Sequence, residues 1–265
     1  MSKDIARNVA LVTYGNLFLQ ERDNEFDIEK LVTDNCYRLD FVEAPIEGIE
    51  GSSKVLASGA NKWYKYLNDQ DAKRLKLHYQ TSTQSEIPDH ISTAFVGGGS
   101  HWFIEVQFEK DSDVYLCDWI PPIDSGVDTR KTHYVRFASA INHLNDSSPS
   151  VTDSRVQLQT ILKKLAKFAG RFEHSKHWVR NFENPLSTLH EFEPIIPDEF
   201  LPAGIYQKDA HQLIIAAFES WVFGGMGSWN DMAFTGTDQE RYELLSENLY
   251  SNLCNAIISG VNSYP

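Results

Sequence analysis

The spacing of apolar residues changes at NDSSPSVTD, residues 145–153. Before this Ser-, Asp- and Pro-rich stretch, apolar and polar residues alternate as on half-buried strands; beyond it, the apolar residues recur with a helical period. Strands gathered in one part of a chain and helices in the other predict an α+β fold rather than alternating βαβ units. The expected organisation is a mostly antiparallel, sheet-rich region over 1–145 and a helical region over 153–265 packed on it, the two forming one cooperative unit. A length of 265 residues fits one domain or two closely packed halves. Aromatic side chains make up 12% of the chain and include six Trp, enough large apolar surface for a folded core.

The clearest strand is HWFIEVQF (101–108), which sets Trp102, Ile104, Val106 and Phe108 on one face and Glu105 and Gln107 on the other. EKDSD turns the chain into VYLCDWI (114–120), completing a hairpin, and HYVRFA (133–138) resumes as a third antiparallel strand after the breaker PPIDSGVD. Further strands are expected at NVALVTYGNLFL (8–19) and CYRLDFVEA (36–44), with DIEKLVTD between them as a short helix or a turn. Residues 61–79 fit helix and strand equally.

In the second region, Ser154 and Gln157 have capping-box spacing, Ile161, Leu162, Leu165, Phe168 and Ala169 share a face, and Gly170 is placed to stop the helix. Lys163, Lys164 and Lys167 suit the negative end of its dipole. A helix through Trp178, Val179 and Phe182 is expected to break or bend near Pro185, and EPIIPDEFLPAG (193–204) reads as an extended connector. The run HQLIIAAFESWVF is apolar on nearly every side, as a helix in the centre of a fold is. The last helix has Thr237 and Glu240 at capping-box spacing, then a stripe of Tyr242, Leu245, Leu249, Leu253 and Ile257.

Charge narrows the partners. With 24 Lys and Arg against 37 Asp and Glu, the net charge of −13 repels nucleic-acid phosphates and anionic lipid and favours a cationic protein. Three widely spaced cysteines, Cys36, Cys117 and Cys254, suit neither a disulfide framework nor a thiolate zinc site. No apolar run reaches the length of a membrane span, and no leader is expected, so the expected location is the cytoplasm.

The most distinctive segment is VFGGMGSWND (222–231). Gly224, Gly225 and Gly227 let the backbone turn tightly, Met226 and Trp229 offer apolar side chains, and Ser228, Asn230 and Asp231 offer polar ones. Two readings compete: a binding loop at a cleft, or a compact turn with Trp229 packed inside and Asn230 or Asp231 bonding the turn. The loop follows a helix, lacks a P-loop lysine and has no G-x-G-x-x-G spacing, so no nucleotide is expected. Ser228 is no nucleophile elbow, because positions 226 and 230 are not glycine.

VGGGSHW (96–102), with His101, reads as a flexible turn or bulge before the sheet, with a ligand loop as the alternative. His174 and His177, beside Glu173, form an H-x-x-H pair whose only nearby supplements are His190 and Glu191; a solvated helix start accounts for them better than a metal. Cys254 falls within the last amphipathic helix and Cys117 within a strand, as core or half-buried residues do. No cofactor, metal or catalytic set is expected.

The VFGGMGSWND loop, followed by a terminal helix of the form Y-x-x-L-x-x-x-L-Y (242–250), resembles a set of bacterial proteins that end in this way, some of them immunity proteins that protect a toxin-producing cell. The resemblance is confined to the last 60 residues. It implies a protein that binds and neutralises a cognate toxin, with residues 224–231 as candidate binding residues. The alternative is a small-molecule hydrolase or transferase with its pocket at the same loop.

Overall fold

The computed structural model describes residues 3–21, 38–44, 53–82, 87–93, 98–120, 131–145, 148–191, 201–202 and 204–265. Cys36, the segments DIEKLVTD and PPIDSGVD, and all but the end of the connector expected at 193–204 lie outside them.

The fold is α+β. Its order is α1 (Lys3–Glu21), β1 (Arg38–Glu43), β2 (Val55–Ser58), α2 (Ala60–Asp69), β3 (Arg74–Gln80), the single turn α3 (Asp89–Ser92), β4 (His101–Gln107), β5 (Ser112–Ile120) and β6 (Lys131–Ile141). Helices α4 (Val151–Ala169), α5 (Val179–Thr188), α6 (Lys208–Glu219) and α7 (Thr237–Asn262) follow. The strands form one sheet in the order β2-β1-β6-β5-β4-β3, antiparallel throughout except for the parallel pair β1 and β6. The expected hairpin is β4 and β5, paired from Phe103 with Leu116 to Gln107 with Ser112. Residues 61–79, open between two states, contain both: most of α2, a tight turn and most of β3.

The expected strand at 8–19 is instead the middle of α1. Val9, Ala10, Leu11 and Val12 have no exposed surface, so this helix is apolar on consecutive positions and shows no helical period. Gly15 admits it to the sheet: a Cβ there would lie 2.8 Å from Leu75 and 3.0 Å from Tyr64. Between α1, α2 and the inner sheet face, Trp63 stacks on Phe41 at 4.1 Å and meets Tyr115 edge-on at 5.2 Å. Tyr64 donates its hydroxyl to the Leu11 carbonyl, and Tyr134 donates to Asn8.

Two helix starts differ from the sequence expectation. Ser150, not Ser154, caps α4 by accepting from the Asp153 amide, while Ser154 is buried and accepts from the Ser259 hydroxyl of α7. Helix α7 starts behind Gly236 at φ 57° with no side-chain cap, and Thr237 is its first residue. In both cases the box pattern lies inside the helix. Gly170 does follow α4, at an ordinary φ of −68°. Pro185 neither ends nor breaks α5, which runs through it to Thr188.

Helix α6 is enclosed as its composition predicts, with Leu213, Ile214, Ala216 and Ala217 fully buried. Gly260 of α7 packs against it so closely that a Cβ would meet Ile214 Cγ1 at 2.5 Å. Residues from α1, the strands and α4 through α7 all contribute to one apolar cluster.

Candidate functional site

The loop after α6 is held from beneath by Trp229. Its amide donates to the Val222 carbonyl at 3.0 Å, its indole donates to Ser246 Oγ at 2.8 Å, and its carbonyl accepts from the Tyr242 hydroxyl at 2.7 Å. Its ring is fully buried, edge-on to Phe182 at 5.1 Å and to Trp178 at 5.7 Å. Of the two sequence readings, the compact turn therefore describes Trp229.

The tip above it faces outward. A Cβ at Gly224, Gly225 or Gly227 would touch nothing within 4 Å, and Met226 is 101% exposed. The tip is nevertheless ordered by its own bonds: the Gly227 amide, at φ +83°, donates to Asp231, while Ser228 Oγ donates to the Gly224 carbonyl and accepts from the Asn230 amide.

Asn230 joins this loop to a distant part of the sequence by donating its side-chain amide to the His90 carbonyl of α3 at 2.8 Å. The His90 ring lies 5.7 Å from Phe223, whose ring with those of Trp221 and Tyr250 forms an aromatic floor. The Tyr250 hydroxyl accepts from the Ser100 amide at 3.0 Å, and Ser100 donates its hydroxyl to Asp89 at 2.8 Å. Gly99, at φ +90°, sits where a Cβ would lie 2.6 Å from Thr93 and 3.1 Å from the Tyr250 hydroxyl. The two glycine clusters, read from sequence as separate loops, thus converge on α3 and Tyr250; residues 96–97 of the second lie outside the described residues, and His101 is exposed.

The two segments that Asn230 ties together carry exposed apolar side chains: Met226 on one, Ile87 and Ile91 on the other. Burial lowers the pKa of His90, while the charges of Glu247, Asp89 and Glu243 act on it in the opposite direction. Neither 222–232 nor 87–93 contains a lysine or arginine.

The remaining sequence candidates are held in ordinary packing. The His174 ring lies 5.1 Å from Phe234, His177 lies 5.3 Å from Trp178, and His190 bonds Gln159. Among the described residues no three His, Cys, Asp or Glu side chains are grouped to hold a metal. Burial pushes the Cys117 thiol up to about 12 and raises that of Cys254, which keeps both protonated and poorly nucleophilic.

One polar cluster had no signature in the sequence. Glu105, expected on the outer face of β4, is fully buried, because the segment after β6 crosses it and Leu144 donates its amide to the carboxylate at 2.9 Å. His78 Nε2 lies 2.9 Å from the second carboxylate oxygen, and Ser112 donates its hydroxyl at 2.7 Å. Burial raises the Glu105 pKa, but the bonds from His78, Ser112 and Leu144 outweigh it and hold the carboxyl down at about 2. His143 Nδ1 meets the same Ser112 hydroxyl at 2.7 Å. This is not a nucleophilic triad: the Ser112 proton points at the carboxylate and the residue is buried. His78 also borders a polar cavity of about 290 Å³ shared with Tyr79, Asn145, Ser148 and Asn255.

No protein-family model, curated protein or solved structure matches this chain. No helix among the described residues is long and apolar enough to cross a membrane.

Proposed function

We propose that this is an immunity-type protein of the cytoplasm that binds and neutralises a cognate bacterial toxin, and that the toxin docks on the face built from residues 224–231, α3 and the Glu243 and Glu247 edge of α7. The observation that carries the reading is Met226, fully exposed at the tip of a loop locked from below by Trp229. An apolar tip already ordered before binding loses little conformational entropy when a partner covers it. Asp89, Asp231, Glu243 and Glu247 on the same segments would steer a cationic protein surface toward it, raising the association rate more than the final affinity. The resemblance of VFGGMGSWND and the helix behind it to immunity proteins supplies the class of partner.

The test is co-expression with the candidate toxins encoded beside the gene. Wild-type protein should protect the cell and bind one toxin tightly, whereas Met226→Lys should lose protection while keeping its thermal transition. Absence of protection by the wild type, together with turnover of a small substrate by the purified protein, would overturn the reading in favour of a hydrolase or transferase.

A further inference from the structure

A second surface differs from this acidic face in shape and charge. Helices α4 and α7 run antiparallel, tied at one end by Ser154 and Ser259 at 2.9 Å and at the other by the ion pair of Arg171 with Asp238 at 3.1 Å. Between these ties lies an open groove of about 830 Å³. Ile161 and Leu245 line its floor at 4% and 6% exposure, while Val156 and Leu244 stand on its rims at 59% and 60%. An isolated exposed leucine needs no explanation, but here two large exposed aliphatic residues border a groove floored by buried Ile161 and Leu245.

The residues that line the groove are net basic, unlike the chain as a whole. The lining carries Lys164 and Arg241 against the single carboxylate of Glu240, on a chain whose net charge is −13. Neither cation has an ion-pair partner among the described residues, although acids outnumber bases 37 to 24 in the sequence. Asn248 and Asn252 donate their side-chain amides to the helix carbonyls of Leu244 and Asn248, which leaves their side-chain oxygens as acceptors.

We propose that the α4–α7 groove receives an amphipathic helix of a partner protein, with its apolar stripe between Val156 and Leu244 and its carboxylates on Lys164 and Arg241. Two antiparallel helices present the concave seat into which a third helix packs at about 8–10 Å, and such sites take anchors at i, i+3 or i+4, and i+7. A second copy of this chain fits less well. A two-fold interface sets the same patch against itself and so brings two net-basic linings together. The inference goes beyond the proposed toxin face, because its ligand is acidic where that face selects a cation.

Two stapled helical peptides test it by fluorescence anisotropy, both with leucines at i, i+3, i+4 and i+7, one flanked by glutamates and the other by lysines. The glutamate peptide should bind about tenfold more tightly than the lysine peptide when Met226→Lys suppresses the acidic face, a ratio that two modest surface ion pairs can supply. Leu244→Asp should abolish binding, and Lys164→Glu with Arg241→Glu should reverse the preference. These side chains border open space, so matching thermal transitions will show that the variants fold. Equal binding of both peptides, or binding that survives Leu244→Asp, overturns the proposal. So does a wild-type dimer that Leu244→Asp dissociates, which would make the second copy the occupant. Protection from toxin is read separately through Met226, so either surface can fail without the other.

Discussion

Asn16 of α1 and Asn262 of α7 perform the same task on one edge strand. Asn16 accepts from the Leu75 amide at 2.8 Å and donates to its carbonyl at 2.9 Å; Asn262 does both with Leu77 at 2.8 Å. Strand β3 ends the sheet, and these are the backbone groups it turns away from β4. The first and last described helices thus cover an edge that would otherwise offer itself to another chain. Arg74 adds to the closure by donating to the Asn262 carbonyl at 2.6 Å.

Asn16→Leu and Asn262→Leu should therefore each cost on the order of 1–3 kcal/mol, since each strands an amide and a carbonyl with little access to water. Urea unfolding of the two variants would measure it. A change within error would mean that water replaces the side chain at no cost.

Residues 150–265 expressed alone should aggregate or fold poorly, because the fragment keeps the enclosed helix α6 and loses the sheet under α7. A soluble fragment with a sharp thermal transition would show two independent domains instead.

Gly260→Ala should destabilise by roughly 1–3 kcal/mol through overpacking, since the added methyl meets Ile214 Cγ1 at 2.5 Å and the Ala210 carbonyl at 3.3 Å. Adding Ile214→Ala should recover part of the loss, and a double-mutant cycle that shows no coupling would place the strain elsewhere.

The glycines of the exposed loop should divide. Gly227→Ala should cost about 1 kcal/mol, because its φ of +83° disfavours any Cβ, although nothing lies within 4 Å. Gly225→Ala has open space and no such φ, so its thermal transition should match wild type.

Glu105 ties stability to acid. Its folded pKa of about 2 lies below its ordinary 4.5, so the stabilisation is fully present above the ordinary value and is lost as pH falls toward the folded one. Glu105→Gln should lower stability at neutral pH and flatten the pH dependence between about 4.5 and 2. Denaturation midpoints across that window would show it, and parallel curves for wild type and variant would contradict it.

What the sequence discloses follows from how each element is buried. Strand β4 and the stripe on α7 each hide one face, so their periods are visible, and α6 is visible because a run that long and apolar has few other homes. Helix α1 is hidden on consecutive positions, which erases the period and makes it resemble a strand. The glycines around Trp229 leave a binding loop and a compact turn both open, and the link through Asn230 to His90 spans residues far apart in sequence and leaves no local trace. Glu105 misled by alternation, which assigns it to solvent until a crossing segment is known.

Sealing an edge with two primary amides also gives the fold a chemical clock. Hydrolysis of Asn262 to aspartate would replace the nitrogen that donates to the Leu77 carbonyl with an oxygen bearing negative charge, so attraction would become repulsion at one end of β3. The same reaction at Asn16 would turn away the Leu75 carbonyl. An ageing preparation should consequently become prone to strand-by-strand association in step with deamidation at these two sites, detected together by peptide mass mapping and light scattering, while replacement by leucine would bring the association forward without waiting for the chemistry.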